Sequence, residues 1–239
     1  MRTLLPLLLL AFVPLLSCST HDLQRTMDTV LGEGTPGLSN DEVIAGLKQA
    51  LELGSERAVG RASVTDGYWK NARIRIPFPP EAEKVRSTLL DLGMTTVVEE
   101  FELTLNRAAE EAAKEAVPVF VEAVKGMTIA DGFAILNGGE HAATVYLKEK
   151  TSAALMQRFT PVVARATDKV ALASHWEPLA SAYNTTTLFT GGTAVEPDLD
   201  AYVVQKATEG LFLLLSDEEA RIRQDPLART TELLQRVFR

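Results

Sequence analysis

The chain has 239 residues, a formal charge of -8 and a single cysteine. That length supports one sizeable hydrophobic core, and a lone thiol excludes an internal disulfide. The acidic balance, with no basic patch, excludes the phosphate neutralisation that nucleic-acid binding requires.

Residues 1–3 carry one positive charge, and residues 4–16 form a leucine-rich apolar run. As a helix rising about 1.5 Å per residue that run would reach roughly 20 Å, short of the roughly 30 Å hydrocarbon core of a bilayer. It reads as the h-region of a signal peptide over residues 1–17, not as a membrane span. Its end, Leu15-Leu16-Ser17-Cys18, resembles a bacterial lipobox. The resemblance implies that Cys18 becomes the first mature residue, with a diacylglyceryl thioether on its sulfur and a further acyl chain on its amine. More than one chain matters physically, because each buried methylene contributes about 0.8 kcal/mol and a single chain holds only marginally. Ser19, in place of Asp, resembles the sorting pattern of outer-membrane lipoproteins. The expected location is therefore the outer membrane, with the body facing the periplasm. An ordinary secretory signal with an unmodified thiol is the alternative, and it too exports the chain.

Residues 18–38 are polar and gather three glycines and a proline towards their end, the composition of a flexible tether spanning about 25 Å. A folded body is expected over 39–239. Ser39-Asn40-Asp41-Glu42 is a capping box. Ile44, Leu47, Leu51 and Ala58 follow at helical spacing, with Gly60 as the expected end. Ile74, Ile76 and Phe78 then alternate with Arg73, Arg75 and Pro77, but the prolines remove ladder donors, so an extended connector is expected. Pro80 opens a helix over 81–92 that Gly93 closes.

From residue 95 on, helices dominate. Phe101, Leu105, Ala108, Ala112 and Ala116 form one stripe, whose alanines would let a neighbouring helix approach closely, and Pro118 restarts or kinks it. Thr128 caps a short helix that Gly138-Gly139 stops. Helices are expected over 140–148, over 151–173 with a break at Thr160-Pro161, and over 177–183, followed by a loop over 184–198. Asp198 caps a helix over 199–215, and Ser216-Asp217-Glu218-Glu219 reads as a second capping box. Asp225-Pro226 starts a last helix whose apolar side is Leu227, Leu233, Leu234 and Val237. No internal repeat interrupts this order, so the expected fold is all-α: a single multi-helix, bundle-like domain following the leader and tether.

The strings "GYWKNARIRIPFP", "FELTLNRAAEEAA", "VKGMTIADGFAILNGGEHAATVYLKEKT" and "EEARIRQDPLARTTELLQRVF" resemble the bacterial family known as domain of unknown function 4197. The likeness runs from Leu38 to Arg239. It implies exported, helical, often lipoprotein-like proteins, and it carries over no mechanism and no functional residue.

Enzyme motifs are missing from the sequence: there is no G-x-S-x-G elbow, H-E-x-x-H helix, Walker loop or G-x-G-x-x-G turn. His21, His141 and His175 are scattered, and none follows a Glu by three residues as a di-iron bundle requires, so neither a metal nor another cofactor is implied. Glu99, Glu100, Glu102, Glu110 and Glu111 read as a solvated, salt-bridged helix face, with Arg107 able to pair with Glu111. Leu103, however, points about 180° from the alanine stripe, alongside Asn106 and Arg107, which suggests a helix covered on both sides. Two readings stay open. Asn106 and Arg107 are an internal tie to a loop carbonyl or to an acid such as Asp131, or they belong, with Asp131 and Tyr183, to a polar pocket for an anionic ligand held by Arg107. Tyr68, Trp69, Tyr183 and the loop Thr185 to Thr193 could line a groove. The function expected is a lipid-anchored envelope protein whose helical body binds a protein or small molecule. An envelope hydrolase or other enzyme with a carboxylate- or Arg-centred site, and a purely structural envelope component, are the alternatives.

Overall fold

A computed structural model of the chain describes residues 38–239 apart from 81–82, 169–175, 177–180, 182–183, 186–187, 189–193, 195–197, 230 and 238–239. Cys18, residues 1–37 generally, Tyr183 and most of the 177–198 region therefore lie outside the described residues.

The first helix, α1 (Asn40–Ala62), starts as its sequence dictates: Ser39 Oγ accepts from the Glu42 amide, and the Glu42 carboxylate accepts from the Ser39 amide at 2.8 Å. Ile44, Leu47, Leu51 and Ala58 are buried as spaced. The helix runs past Gly60 to Ala62 because Val59 and Ala62 continue the apolar face. A tight turn follows at Asp66-Gly67, where Asp66 takes φ 69°. Gly67 is required there, since a Cβ would lie 2.5 Å from the carbonyl oxygens of Arg61 and Ala62. Ile74, Ile76 and Phe78 line the core from an irregular connector, not from a strand.

Next come α2 (Glu83–Asp91), which ends before Gly93 at φ +76°, and α3 (Thr95–Ala113). The chain breaks at Lys114-Glu115, and α4 (Ala116–Lys125) holds Pro118 in its first turn, where a missing amide is tolerated. Thr128 caps α5 (Ile129–Leu136) in a second capping box with Asp131.

Three expected breaks do not occur, the first of them between Lys148 and Thr151. α6 (Ala142–Thr167) is one helix through Thr160-Pro161, because Thr151, Leu155, Phe159 and Val163 form an unbroken buried face whose packing outweighs the lost hydrogen bond at the proline. α7 (Leu199–Gln224), capped by Asp198, likewise continues through Ser216-Asp217-Glu218-Glu219. Leu211, Leu214, Leu215 and Ile222 keep its apolar side continuous there, so the local capping signal is overridden. At the C-terminus a short 3-10 turn (Pro226–Ala228) precedes α8 (Glu232–Val237), and Leu227 is 89% exposed instead of joining the apolar side.

α7 packs along α6 and α1, α3 lies against α6 and α7, α4 and α5 each contact α1 and α6, α2 rests on α3, and α8 rests on α1. Ala108, Ala109, Ala112, Ala113 and Ala116 are fully buried, so the α3 backbone comes close to its neighbours. Phe78, Phe101 and Trp176 form a ring cluster with centroids 4.9 to 6.1 Å apart.

Packing decides the sign of two glycine substitutions. A Cβ at Gly210 would sit 2.9 Å from a ring carbon of Tyr68 and 3.0 Å from Ile74 Cβ. Tyr68 cannot retreat, since it is fully buried and its hydroxyl donates to Ala207 O at 2.6 Å. Gly210→Ala should therefore lower stability by about 1–2 kcal/mol, overpacking exceeding the helix-propensity gain. Gly54→Ala should raise it by about 0.5–1 kcal/mol, because its Cβ would meet only Ile222 and Glu218 at 3.6 and 3.9 Å. Urea unfolding of the two variants checks the opposite signs.

Candidate functional site

Glu102, Asn106 and Glu110 stand four residues apart on α3 and so share one face. That face is not solvated: Glu102 and Glu110 are 7% and 4% exposed, and Asn106 is fully buried, whereas Glu99, Glu100 and Glu111 face water. Asn106 binds one peptide of the 63–80 connector as a second peptide would. Its Oδ1 accepts from the Ile76 amide at 2.8 Å, and its Nδ2 donates to Ile76 O and Glu102 O, each at 2.7 Å. Glu110 Oε1 accepts from the Tyr68 and Trp69 amides at 3.1 and 3.2 Å, and its Oε2 takes Arg107 at 2.6 Å. Arg107 also reaches Asp66 at 2.7 Å. Glu102 pairs with Arg75 at 2.8 Å and Arg86 at 3.0 Å, and the Arg75 guanidinium lies 3.9 Å above the Trp69 ring.

The electrostatics follow from these pairings. Glu110 and then Asp66 hold the Arg107 guanidinium above its ordinary range, and Lys70 and Arg107 hold the Asp66 carboxyl below its own. Burial, and next to it the Glu110 charge, push the Tyr68 phenol far up. The partner of Arg107 is neither Glu111, which pairs with Lys114, nor Asp131, which caps α5. Tyr68 is core packing and not groove lining.

A second polar group joins α7 to α6. Glu219 accepts from the Ala143 and Thr144 amides at 3.1 and 2.8 Å and from the Thr144 hydroxyl at 2.8 Å, so it caps the start of α6. Arg223 pairs with Glu219 at 3.0 Å and donates to Ile135 O at the end of α5, also at 3.0 Å. The pairs Glu218–Arg221 and Glu219–Arg223 form at their three- and four-residue spacings, but both carboxylates are buried rather than on the surface. Beside them Ser216 Oγ lies 2.8 Å from His141 Nδ1. That contact sets a hydroxyl against an imidazole, yet the amides of Ala142, Ala143, Thr144 and Val145 are all engaged, leaving none of these four to stabilise an oxyanion.

The third feature is an open concavity of about 470 Å³ where α4, the start of α5 and α6 meet. Glu122 lines it from α4, Thr128 and Asp131 from the α5 cap, and Tyr146 and Lys150 from α6. Asp131 Oδ2 accepts from the Thr128 amide and hydroxyl at 3.0 and 2.7 Å. Thr128, first, and then the Lys150 charge hold this carboxyl below its usual range. Burial and the Asp131 charge push the Tyr146 phenol up. Lys150 Nζ stands 5.8 Å from the Tyr146 ring centre. Among the described residues neither Glu122 nor Lys150 forms an ion pair.

The family described as "Protein of unknown function (DUF4197)" matches residues 37–239, the whole helical body. The chain belongs to that family. No curated protein and no solved structure matches it.

In this DUF4197 chain the segments "GYWKNARIRIPFP" and "FELTLNRAAEEAA" are the two halves of one clamp, held by Glu102, Asn106 and Glu110. Of the four residues expected to form a site, Asn106 and Arg107 share that clamp, Asp131 lies at the separate α4–α5–α6 concavity, and Tyr183 is outside the described residues. The sequence reading missed Glu122, Tyr146 and Lys150. Tyr146 and Lys150 stand four residues apart on one helix, a signal of a shared face, but nothing local ties that face to α4. Among the described residues no group of three His, Cys, Asp or Glu side chains could hold a metal ion.

Proposed function

We propose that this chain is an exported outer-membrane lipoprotein, anchored through Cys18, whose helical body recognises a partner or ligand at the α4–α5–α6 concavity without chemistry of its own. The observation that carries the reading is a division of polar groups. Among the described residues every buried side-chain nitrogen or oxygen has a hydrogen-bond partner, and the carboxylates and guanidinium groups of the α3 clamp are engaged by one another and by backbone amides. The clamp thereby offers less to an enzyme centred on Arg107 than the concavity offers to recognition. The charged side chains around the concavity are by contrast open to a visitor. No helix among the described residues is long and apolar enough to cross a membrane.

The anchor is checked by detergent-phase partitioning. The full chain should enter the detergent phase when expressed in a bacterial envelope, and Cys18→Ala should shift it to the aqueous phase. A Cys18→Ala protein that still partitions with detergent defeats the anchor. Recognition is checked separately, with a photo-crosslinking side chain at Ala154, which lines the concavity, and the same group at Glu56 on the exposed side of α1 as the control. Adducts from position 154 alone support the concavity, and equal adducts from both positions defeat it.

A further inference from the structure

The concavity between α4, α5 and α6 has a charge pattern that selects among ligands. Glu122 and Asp131 bring two carboxylates, Lys150 brings one ammonium, and the Tyr146 ring lies among them. The Asp131 carboxyl is ionised throughout the physiological range, because its cap to Thr128 and the Lys150 charge both favour the anion. Only one of its oxygens is engaged by that cap, both bonds going to Oδ2. The Tyr146 hydroxyl stays protonated and can donate.

A plain anion entering this space meets two carboxylates, and a plain cation meets the Lys150 ammonium. A ligand carrying both signs satisfies both sides. Its cation would be favoured by the Asp131 and Glu122 carboxylates. Its anion would be favoured by Lys150. Ala123, Gly126 and Ala154 line the same space and add little bulk, so a short backbone can lie along it. The volume of about 470 Å³ is in the range of small-molecule sites, which run from about 300 to 1,000 Å³.

We infer that the concavity binds a small zwitterion, a molecule with one ammonium and one carboxylate or phosphate a few bonds apart. This inference rests on the recognition reading above and narrows it to a ligand class. The same chemistry is offered by a free amino acid or short peptide and by an ethanolamine phosphate headgroup, so the probes separate these sources.

The test is calorimetric titration of the full chain in detergent micelles with glycylglycine, with glycylglycine acetylated at its amine, with glycylglycine amide, and with phosphorylethanolamine. At least one of the two zwitterions should bind, and blocking either end of the dipeptide should weaken it at least tenfold. Glu122→Gln and Lys150→Met alter exposed side chains that make no ion pair among the described residues, so the fold should persist, as circular dichroism would show. Lys150→Met should remove the preference for a free carboxylate or phosphate, and Glu122→Gln should weaken the free amine's contribution. Tighter binding of glycylglycine assigns a peptide-like ligand; tighter binding of phosphorylethanolamine assigns a headgroup. No heat with either zwitterion, or binding indifferent to blocked ends and to both variants, overturns the ligand class. Position-154 adducts obtained alongside that failure would leave recognition standing and remove only the zwitterion.

Discussion

Glu110→Ala should lower the unfolding free energy by about 3 kcal/mol, the cost typical of removing one partner from a buried charged network. The argument starts from what the side chain holds. Glu110 is 4% exposed and takes the Tyr68 and Trp69 amides on one oxygen and Arg107 on the other. Alanine leaves two amides of the connector without an acceptor, and Arg107 with Asp66 alone. Because Arg107 is 38% exposed, water takes part of its released charge, which keeps the figure near the lower end of the buried-pair range. Glu110→Gln supplies the separating control. Its amide oxygen can still accept from the two backbone amides while the ion pair is lost, so about 1 kcal/mol is expected. Urea unfolding at unchanged slope measures both. Trp69 fluorescence should move with Glu110→Ala, since its amide is on Glu110 and Arg75 covers its ring. An alanine variant within 0.5 kcal/mol of the parent would show that the connector is held by apolar packing of Ile74, Ile76 and Phe78 alone.

What the sequence reveals of this fold is what short-range physics decides. Ser39, Thr128 and Asp198 begin their helices, and Gly93 ends one in a conformation with positive φ, because each acts on amides or carbonyls within three or four residues of itself. The alanine stripe of α3 also says correctly that another backbone comes near. Where the reading fails, the deciding partner is remote. Ser216-Asp217-Glu218-Glu219 has the composition of a helix start, but its third and fourth members act elsewhere: Glu219 caps α6, 75 and 76 residues back in the chain, and Glu218 meets Arg61. A capping signal is local, and the apolar face that overrides it is formed by contacts with α1 and α6 that no local pattern displays.

The α3 clamp was half legible for the same reason. Leu103 and Asn106 lie opposite the alanine stripe, which signals cover on both sides, and Asn106 is indeed fully buried. Glu102 and Glu110 fall on the Asn106 face by the same spacing, so their burial followed from that signal; composition argued for water and obscured it. Their partners come from residues 66–76 and 86, a segment whose two-residue alternation says that Ile74, Ile76 and Phe78 turn inward but not against what. The concavity was less legible still. Its walls come from three helices, and of its side chains only Thr128, as a helix cap, and Asp131 are singled out by the sequence. A capping role then accounts for one of that residue's oxygens and leaves the other facing no described donor.

Asn106→Asp should produce a loss of stability that grows with pH, which distinguishes a lost tie from a lost contact. Asn106 donates through Nδ2 to Ile76 O and Glu102 O at 2.7 Å. An ionised carboxylate would place an acceptor oxygen against those two carbonyls in a fully buried position, so the folded state disfavours the charge and raises the pKa of the introduced carboxyl above its unfolded value of about 3.9. Below that unfolded value both states are protonated. The neutral acid can still donate one hydrogen bond, and the deficit is about 1–2 kcal/mol. As the pH rises, the unfolded chain releases its proton first and binds fewer protons than the folded one. Stability then falls by about 1.4 kcal/mol per pH unit until the raised pKa is passed. By pH 7 the deficit relative to the parent should reach about 4 kcal/mol or more. Asn106→Ala should show a deficit of about 2–3 kcal/mol with no such slope, because it orphans the Ile76 peptide without introducing a charge. Unfolding of the three proteins between pH 4.5 and 7.5, with the parent's own pH dependence subtracted, gives the slopes directly. A flat difference for Asn106→Asp would mean that the connector swings away and admits water to the carboxylate. In that case the contact between "GYWKNARIRIPFP" and "FELTLNRAAEEAA" would be a hinge and not a fixed part of the core.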